Sequence, residues 1–326
     1  MTSAALVDVV AISGTGQNGA TLASRLMGEL PGWIAVGEIA RVWDKGLAEN
    51  VACSCGESFG SCPFWTKVGE SAFGGWGEVD ANEARRLVDA LMLRRRRLPH
   101  AFSLPLIVYP RLSRRHARDV RDYVALTQRL FAGVLEVSGA RVIVDSSKWP
   151  AHVYALSRTT AFGTRVVHLV RDARGVAYSN TKQVVRQGSR EDRPFRIRQR
   201  PWKLSMRWTW INLSSHALRR LGVPVLSLRY ESLVADPRAE LVRIARFAGA
   251  SDPELAFLGD AEADLPAGHL VAGNRMRLAR GPVPIRLDDE WRIRFPASQR
   301  RLVTMLTWPL LRAYGYVGTR STMGKR

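Results

Sequence analysis

Residues 7–30 read VDVVAISGTGQNGATLASRLMGEL, an apolar run that passes through a glycine-rich loop into a second apolar pattern. The run that ends at Ile12 predicts a strand buried on both faces. Leu22 and Leu26 recur at helical spacing, so we expect a helix to begin near Ala20. A strand, a glycine loop and a helix N-terminus together form an anion site, because free backbone N–H groups and the positive end of the helix dipole point the same way.

The loop from Gly14 to Thr21 is close to the nucleoside-triphosphate loop GxxxxGK[ST], with Gly14, Gly19 and Thr21 in place. Ala20 stands where that motif has its lysine, which argues against an ordinary ATPase or GTPase. A glycine-rich turn that binds nothing is the alternative, since a lone glycine loop is a weak signal. The loop therefore predicts a phosphate site that needs support from elsewhere in the chain.

Size and charge set broad limits on the fold and the partners. The chain has 326 residues, 46% of them apolar, and a formal net charge of +20. This length suits one large α/β domain or two ordinary ones. The charge fits either a solvated basic face or a channel for an acidic ligand, and arginines concentrate at 94–97, 111–121 and 186–200. The sequence shows neither a membrane-spanning apolar stretch nor a leader peptide, so we expect a cytoplasmic protein.

Three cysteines lie together in CSCGESFGSCPFW, at positions 53, 55 and 62. Such a cluster suggests zinc, but structural zinc sites take four ligands, usually in CxxC pairs, and neither the fourth ligand nor the pair spacing is evident. One disulfide with a free thiol, or three reduced thiols, is the expectation in a reducing compartment. The sequence therefore leads us to assign no metal.

Further apolar runs that end in polar residues predict a parallel sheet. A short strand over 34–37 leads into Glu38, and later runs are followed by DSSK, RD and RYE; these runs span 141–144, 165–170 and 223–228. Parallel strands typically read this way and open at their C-terminal ends onto a ligand crevice. The helical patterns between them span 80–98, 113–138, 201–221, 237–249 and 296–314.

These elements predict an α/β fold with a central parallel sheet flanked by helices. We expect a single domain over 1–326, with a loop-rich and helical insertion at about 41–138. The helix over 201–221 carries an apolar stripe that includes Trp202, Met206 and Trp210. The tryptophans could line an aromatic or lipid pocket or pack in the core; those concerned are at 43, 65, 76, 202, 208 and 210.

Two more polar segments belong with the glycine loop. DSSK at 145–148 and RDARGVAYS at 171–179 follow predicted strands, which places them at the same sheet edge. Arg171 and Ser179 can hold a phosphate there through a charge and a hydroxyl. The alternative for Arg171 is a strand-end ion pair with Asp172 or another carboxylate.

With these motifs in this order, the chain resembles the sulfotransferases that use 3′-phosphoadenosine 5′-phosphosulfate (PAPS), over almost its whole length. Gly16 to Thr21 resembles their 5′-phosphosulfate loop [KR]SG[ST][ST], and LVRDARGVAYS at 169–179 resembles their 3′-phosphate motif. Other segments are similar to bacterial and Golgi-type members: VDSSK at 144–148, CSCG with CPFW, LRYESLVADP at 228–237 and HLVAGNRMR at 269–277. The resemblance implies a P-loop-like three-layer fold, PAPS as co-substrate, 3′,5′-adenosine bisphosphate as product, and no required metal.

The resemblance also implies roles for individual residues. Arg171 and Ser179 would bind the 3′-phosphate, and Arg277, near Asn274, would close over the nucleotide. The 5′-phosphosulfate would lie on the loop formed by Gly16, Gln17, Asn18, Gly19, Ala20 and Thr21. Gly37-Glu38 matches the Gly-Glu that supplies the base in tyrosyl-protein sulfotransferases. An ion pair with Arg41 or another arginine is the alternative role for Glu38, and His152 is a second candidate base.

One departure from the family loop concerns its cation. Gln17 stands where the family has Lys or Arg, and losing that charge should cost on the order of a few kcal/mol of transition-state stabilisation. We expect Lys148 to replace it, with Gln17 acting as a neutral hydrogen-bonding group and Glu38 as the base. The alternatives for Lys148 are capping a helix or pairing with Asp145.

The sequence thus predicts a sulfotransferase acting on a hydroxyl of a small-molecule, glycan or lipid-linked acceptor, with no specific nucleic-acid partner. Gln17 keeps two alternatives open: a variant that uses another donor, and a non-catalytic basic protein that binds polyanions. A kinase or phosphatase on the same fold is disfavoured because Ala20 removes the loop lysine.

Overall fold

The computed structural model describes residues 9–92, 103–181 and 199–318. Five strands form its central sheet: β1 (Val9–Ser13), β2 (Trp33–Gly37), β3 (Val142–Lys148), β4 (Thr164–Val170) and β5 (Val225–Arg229). They pair in parallel in the order β2-β3-β1-β4-β5, which confirms the predicted α/β class and central parallel sheet. The DSSK residues belong to β3 itself rather than following it. A second, antiparallel pair consists of β6 (Glu262–Leu265) and β7 (Gly281–Pro284).

Helices flank the central sheet. In chain order they are α1 (Ala20–Gly28), α2 (Pro63–Phe73), α3 (Ala81–Leu91), α4 (Ser103–Val108), α5 (Arg114–Ser138), α6 (Pro150–Ser157), α7 (Ala173–Ser179), α8 (Pro201–Arg220), α9 (Tyr230–Ala235), α10 (Pro237–Phe247), α11 (Trp291–Arg294) and α12 (Ala297–Ala313). The last residues of the helix predicted over 80–98, and the arginine clusters at 94–97 and over most of 186–200, lie outside the described residues.

Strand β1 is buried on both faces, as its apolar run predicts. Val10 and Ile12 pack into the core beneath α1 and α10. Val9 packs on the other face, in a core that α2, α3 and α5 complete with large aromatic side chains such as Trp65 and Phe131. The edge at which β1 ends is therefore fixed from both sides of the sheet.

Within the predicted insertion at about 41–138, the stretch over 41–77 contains helices outside the predicted helical patterns. Val42–Ala48 forms a π-helical segment. Helix α2 begins at Pro63 and ends at Phe73, and Gly74, with a φ of 80°, caps it. Proline at the start and glycine just past the end are the usual helix boundaries, so the sequence did carry this signal. Buried Phe64 and Trp65 fix α2 in the core.

The apolar stripe of α8 lies mostly at the surface, because the helix packs through a different face. Leu204 and Trp208 are buried, whereas Trp202 and Trp210 are 45% and 40% exposed. Trp43, Trp65 and Trp208 are buried, so these three tryptophans pack in the core. Across the described residues, the helices are all too short or too polar to cross a bilayer.

Close packing between α1 and β2 yields a stability prediction at Gly28. A Cβ there would lie 2.6 Å from the Cβ of Ala35, so we expect Gly28→Ala to lower the free energy of unfolding by about 1–3 kcal/mol through overpacking. Gly77→Ala is the matched control, since a Cβ at Gly77 meets nothing within 4 Å. Urea denaturation measures both; equal midpoints for the two variants would contradict the packing argument.

Candidate active site

The glycine loop is tied to the two strands on either side of β1. The Gly14 N–H donates to the Lys148 carbonyl of β3 at 3.1 Å, and the Asn18 side-chain amide donates to the Leu169 carbonyl of β4 at 2.9 Å. A Cβ at Gly14 would lie 2.4 Å from the Leu169 oxygen, so only glycine fits. The Asn18 side chain also accepts the Ala20 N–H at 3.1 Å, which positions the start of α1.

Arg171 leaves β4 and contacts the loop directly. Its side chain is buried, and one guanidinium nitrogen lies 3.0 Å from the Gln17 carbonyl and 3.4 Å from the Ser179 hydroxyl. The other nitrogen pairs with the Asp288 carboxylate at 3.0 Å, and the guanidinium lies 4.7 Å from the centre of the Tyr230 ring. The structure therefore brings the two predicted phosphate motifs into contact.

Of the alternative ion pairs for Arg171, the one with Asp172 does not form, whereas one with another carboxylate, Asp288, does. Asp172 instead binds Arg174 through both carboxylate oxygens, at 2.9 and 2.6 Å, and caps α7 by accepting the Arg174 N–H. Asp172 is thereby neutralised within its own turn. The charge of Arg171 faces the loop and the segment around Asp288.

Glu38 and Lys148 form an ion pair at the same edge. Lys148 lies opposite Ser13 in the β1–β3 register, which places it beside the loop as predicted. Each side chain is 14% exposed. Glu38 does not pair with Arg41, because Arg41 binds Asp44. Lys148 does not pair with Asp145, because Asp145 binds His152. Lys148 has a φ of 71°, an unfavourable conformation for a non-glycine residue that a functional site can maintain.

A buried network holds the turn that follows Glu38. The Asp145 carboxylate lies 2.6 Å from His152 Nε2 and accepts the Ile39 N–H at 3.3 Å, while His152 Nδ1 lies 2.8 Å from the Tyr123 hydroxyl. Burial alone would raise the pKa of Asp145, but the charge of His152 and the hydrogen bonds from His152 and Ser147 lower it. Both ring nitrogens of His152, the second candidate base, are engaged, by Asp145 and by Tyr123, and its side chain is fully buried.

The segment over 269–277 lies across the mouth of the loop. The Asn274 N–H donates to the Thr21 hydroxyl at 3.3 Å, and the Glu38 N–H donates to the Val271 carbonyl at 3.0 Å. Arg277 donates through one nitrogen to the Ala52 carbonyl at 3.1 Å, and its Nε has no hydrogen-bond partner among the described residues. We call residues 269–277 the crossing segment.

Sequence reasoning missed several residues that shape this site. Arg25 of α1 is 2% exposed and donates to the Pro266 and Met276 carbonyls at 2.9 Å each. Tyr230 packs its ring against Gly19, where a Cβ would lie 2.4 Å from a ring carbon. A basic residue within the apolar pattern of α1 is the one signal that could have pointed to Arg25.

The cysteine cluster has a fourth member that the sequence did not reveal. The side chain of His269 in the crossing segment joins Cys53, Cys55 and Cys62, and all four potential ligand atoms lie within 4.8 Å of one another. The three thiols are not joined by a disulfide. His269 lies 207 positions after Cys62, so no local spacing in the sequence marked it as a neighbour of the cysteines.

A family profile described as Sulfotransferase family matches residues 70–254, more than half of the chain. The chain belongs to the Sulfotransferase family. The sulfotransferase domain from the Synechococcus PCC 7002 olefin synthase is similar, with 19% identity, coverage of 96% of this chain and 95% of that one, and a TM-score of 0.48. The sulfotransferase from Alicyclobacillus acidocaldarius is 13% identical, with coverage of 96% and 97% and a TM-score of 0.44.

The sulfotransferase domain from the curacin biosynthetic pathway is 16% identical to this sulfotransferase, with coverage of 93% and 98% and a TM-score of 0.47. A sequence comparison with curated proteins returns no match. Membership of the Sulfotransferase family confirms the family predicted from the two phosphate motifs.

The buried network of this sulfotransferase yields a prediction at Tyr123. Tyr123→Phe leaves the buried His152 Nδ1 without its partner, so we expect the free energy of unfolding to fall by about 1–3 kcal/mol. Tyr109→Phe is the control, because Tyr109 is 62% exposed. Urea denaturation compares the two variants; unchanged stability in Tyr123→Phe would mean that the network contributes nothing through this hydroxyl.

Proposed function

We propose that this sulfotransferase moves a sulfuryl group from PAPS to a hydroxyl of a small-molecule, glycan or lipid-linked acceptor. The observation that carries the proposal is the contact of Arg171 with both Ser179 and the Gln17 carbonyl. A donor with phosphates at the 3′ and 5′ positions of one nucleoside needs two neighbouring anion sites. A nucleoside triphosphate needs one extended site with a loop lysine, which this chain lacks.

The loop offers the features that a bound phosphosulfate requires. The cradle at Gly14 would be filled by any Cβ, and the N-terminus of α1 has no acidic residue in its first turn. A small pocket of about 30 Å³ borders the loop at Thr15 and Gly16; its other lining residues are Val176, Asn180, Leu204, Arg207 and Trp208. The unpartnered Nε of Arg277 is a further donor near the site.

In the proposed reaction, Glu38 accepts the proton of the acceptor hydroxyl while that oxygen bonds to sulfur. The bond between sulfur and the bridging oxygen of the 5′-phosphate breaks, and 3′,5′-adenosine bisphosphate leaves with the bonding electron pair. The protein contributes positioning and neutralisation of the leaving phosphate rather than a covalent step.

The ion pair suggests how Lys148 replaces the missing loop cation. While Glu38 is ionised, the ammonium group is balanced by the carboxylate. Protonation of Glu38 during the reaction removes that negative charge, so the Lys148 charge becomes available as negative charge develops on the leaving phosphate. In this proposal Gln17 donates a neutral hydrogen bond to the same group.

Calorimetric titration with 3′,5′-adenosine bisphosphate, ADP and ATP in the absence of magnesium tests the donor site. We expect the bisphosphate to bind at least about tenfold more tightly than either competitor, because only it can engage Arg171 and the loop together. Arg171→Ala should weaken it about 10- to 100-fold through loss of a charge-assisted contact. Asp288→Asn should strengthen it several-fold, since it removes a carboxylate that competes for Arg171.

Equal binding of all three nucleotides, or none, would contradict the two-phosphate site and favour a polyanion-binding protein. The variant Gln17→Arg tests whether the loop is adapted to a donor other than PAPS. If Gln17→Arg gains bisphosphate binding that the natural chain lacks, the natural loop is adapted to another donor.

The proposed part of Lys148 is tested by turnover of radiolabelled PAPS with a panel of phenolic, sugar and alkyl hydroxyl acceptors. Lys148→Ala should lower kcat about 100- to 1000-fold while the bisphosphate still binds, because the charge acts mainly in the transition state. Lys67→Ala, which removes an exposed lysine far from the loop in sequence, is the control. Unchanged kcat in Lys148→Ala would reject its part in the reaction.

A further inference from the structure

Cys53, Cys55, Cys62 and His269 converge from three separate parts of the chain. Cys53 and Cys55 lie in a tight turn closed by the bridge between Ala52 and Ser58. Cys62 immediately precedes α2, and His269 begins the crossing segment. Thiol and imidazole groups are the ligands that zinc prefers, so the four side chains have the chemistry of a Cys3His site.

Four of the six distances within the cluster are close to the edges of a coordination tetrahedron. The Cys62 sulfur lies 3.5 Å from that of Cys55 and 3.7 Å from that of Cys53. His269 Nδ1 lies 3.3 Å from the Cys62 sulfur and 3.8 Å from the Cys53 sulfur. Tetrahedral zinc with Zn–S bonds of about 2.3 Å and Zn–N bonds of about 2.0 Å gives edges of about 3.8 Å and about 3.5 Å.

A single disulfide explains this arrangement less well than a metal ion. A disulfide needs two sulfurs at about 2.0 Å and has no use for an imidazole nitrogen. The His269 ring is instead held in place, stacked on Phe64 at 4.5 Å between ring centroids with its Nδ1 toward the sulfurs. Its carbonyl accepts the Trp65 indole N–H at 3.0 Å, which fixes the backbone as well.

The surroundings of the cluster suit the charge of a zinc-thiolate centre. Three thiolates, one imidazole and Zn²⁺ carry a net charge of −1. The guanidinium of Arg280 donates to the Cys55 carbonyl, and that of Arg277 donates to the Ala52 carbonyl at 3.1 Å. Two positive charges therefore flank the turn that supplies two of the sulfurs, and such second-shell groups stabilise a metal centre.

We propose that Cys53, Cys55, Cys62 and His269 bind one structural Zn²⁺ ion. Four protein ligands leave no open position, which is the arrangement of a structural rather than a catalytic zinc site. The ion links the cysteine turn to the crossing segment, whose Leu270 already exchanges hydrogen bonds with Ser54 at 2.8 and 3.2 Å. The next residue, Val271, bonds to the backbone of Glu38, so zinc fixes the segment that supports the proposed base without touching the reaction.

Metal analysis of the full-length protein tests this inference directly. The protein is produced in medium containing zinc, purified with a phosphine reductant and dialysed, and its metal content is measured by inductively coupled plasma mass spectrometry. We expect one zinc ion per chain. Zinc well below one ion per chain, with none taken up by the reduced protein, would overturn the proposal, as would a disulfide between these cysteines in freshly isolated protein.

Cobalt substitution tests the ligand set without any variant. Co²⁺ added to chelator-stripped protein should give the intense visible bands of a tetrahedral ion and near-ultraviolet thiolate-to-cobalt charge transfer. Weak bands typical of octahedral cobalt would contradict a Cys3His site. Both readouts are independent of sulfuryl transfer, so failure of the proposed function would leave them unaffected.

Variants then assign the ligands. Cys55→Ser and His269→Ala should lose the ion on dialysis against a chelator and unfold at lower temperature than the natural chain. Glu57→Gln is the matched control, because Glu57 lies exposed in the same turn but outside the cluster. Full zinc retention in both ligand variants would overturn the assignment.

Discussion

The position of β1 between β3 and β4 is the constraint on which the site depends. Parallel pairing brings the C-terminal ends of all three strands to one edge. The glycine loop follows β1, Lys148 ends β3 and Arg171 follows β4. Because β1 is buried on both faces, a one-residue shift of register would exchange the side chains that face the two cores and disturb the packing of both. The packing of β1 therefore fixes the distances between the charges at the edge.

The acidic residues nearest in sequence to Arg171 and Lys148 are each paired with another side chain. Asp172 is bound by Arg174, and Asp145 is bound by His152, so neither acid competes for Arg171 or Lys148. The positive charges that face the loop are thus kept from the acids nearest in sequence. Among the described carboxylates, only that of Glu38 forms a salt bridge with Lys148. In the proposed reaction, protonation of Glu38 therefore changes how far the charge of Lys148 is balanced as the phosphate leaves.

Local patterns made much of the fold predictable. The strand, loop and helix over 7–30, the later apolar runs and the helix boundaries at Pro201 and Pro237 depend on neighbouring residues, and the structure has these elements close to their predicted bounds. Helix α2 had its proline and glycine signals but was not among the predicted helices. The exposed stripe of α8 was not predictable, since periodicity finds an apolar face without saying what covers it.

The site was predictable only where it follows from strand order. Placing three polar segments at one edge required no side-chain detail, and the geometry brings Arg171 to Ser179 and Lys148 to the loop. The network of Asp145, His152 and Tyr123 joins α5, β3 and α6, and its members look ordinary in the sequence. The same limit applies to His269, because a residue more than two hundred positions from the cysteines forms no recognisable sequence motif with them.

The crossing segment shows why these distant contacts matter together. Ala272 and Gly273 have φ values of 58° and 109°, and holding a non-glycine residue in that region costs on the order of 1 kcal/mol. Contacts on both sides offset that cost: the Ser54 hydrogen bonds and His269 on one side, and Arg25 with its carbonyl partner Met276 on the other. Both sets of contacts lie outside the loop and the sheet edge. The backbone of Glu38 is therefore held by a segment whose conformation is maintained from two remote points, and the cysteine cluster is one of them.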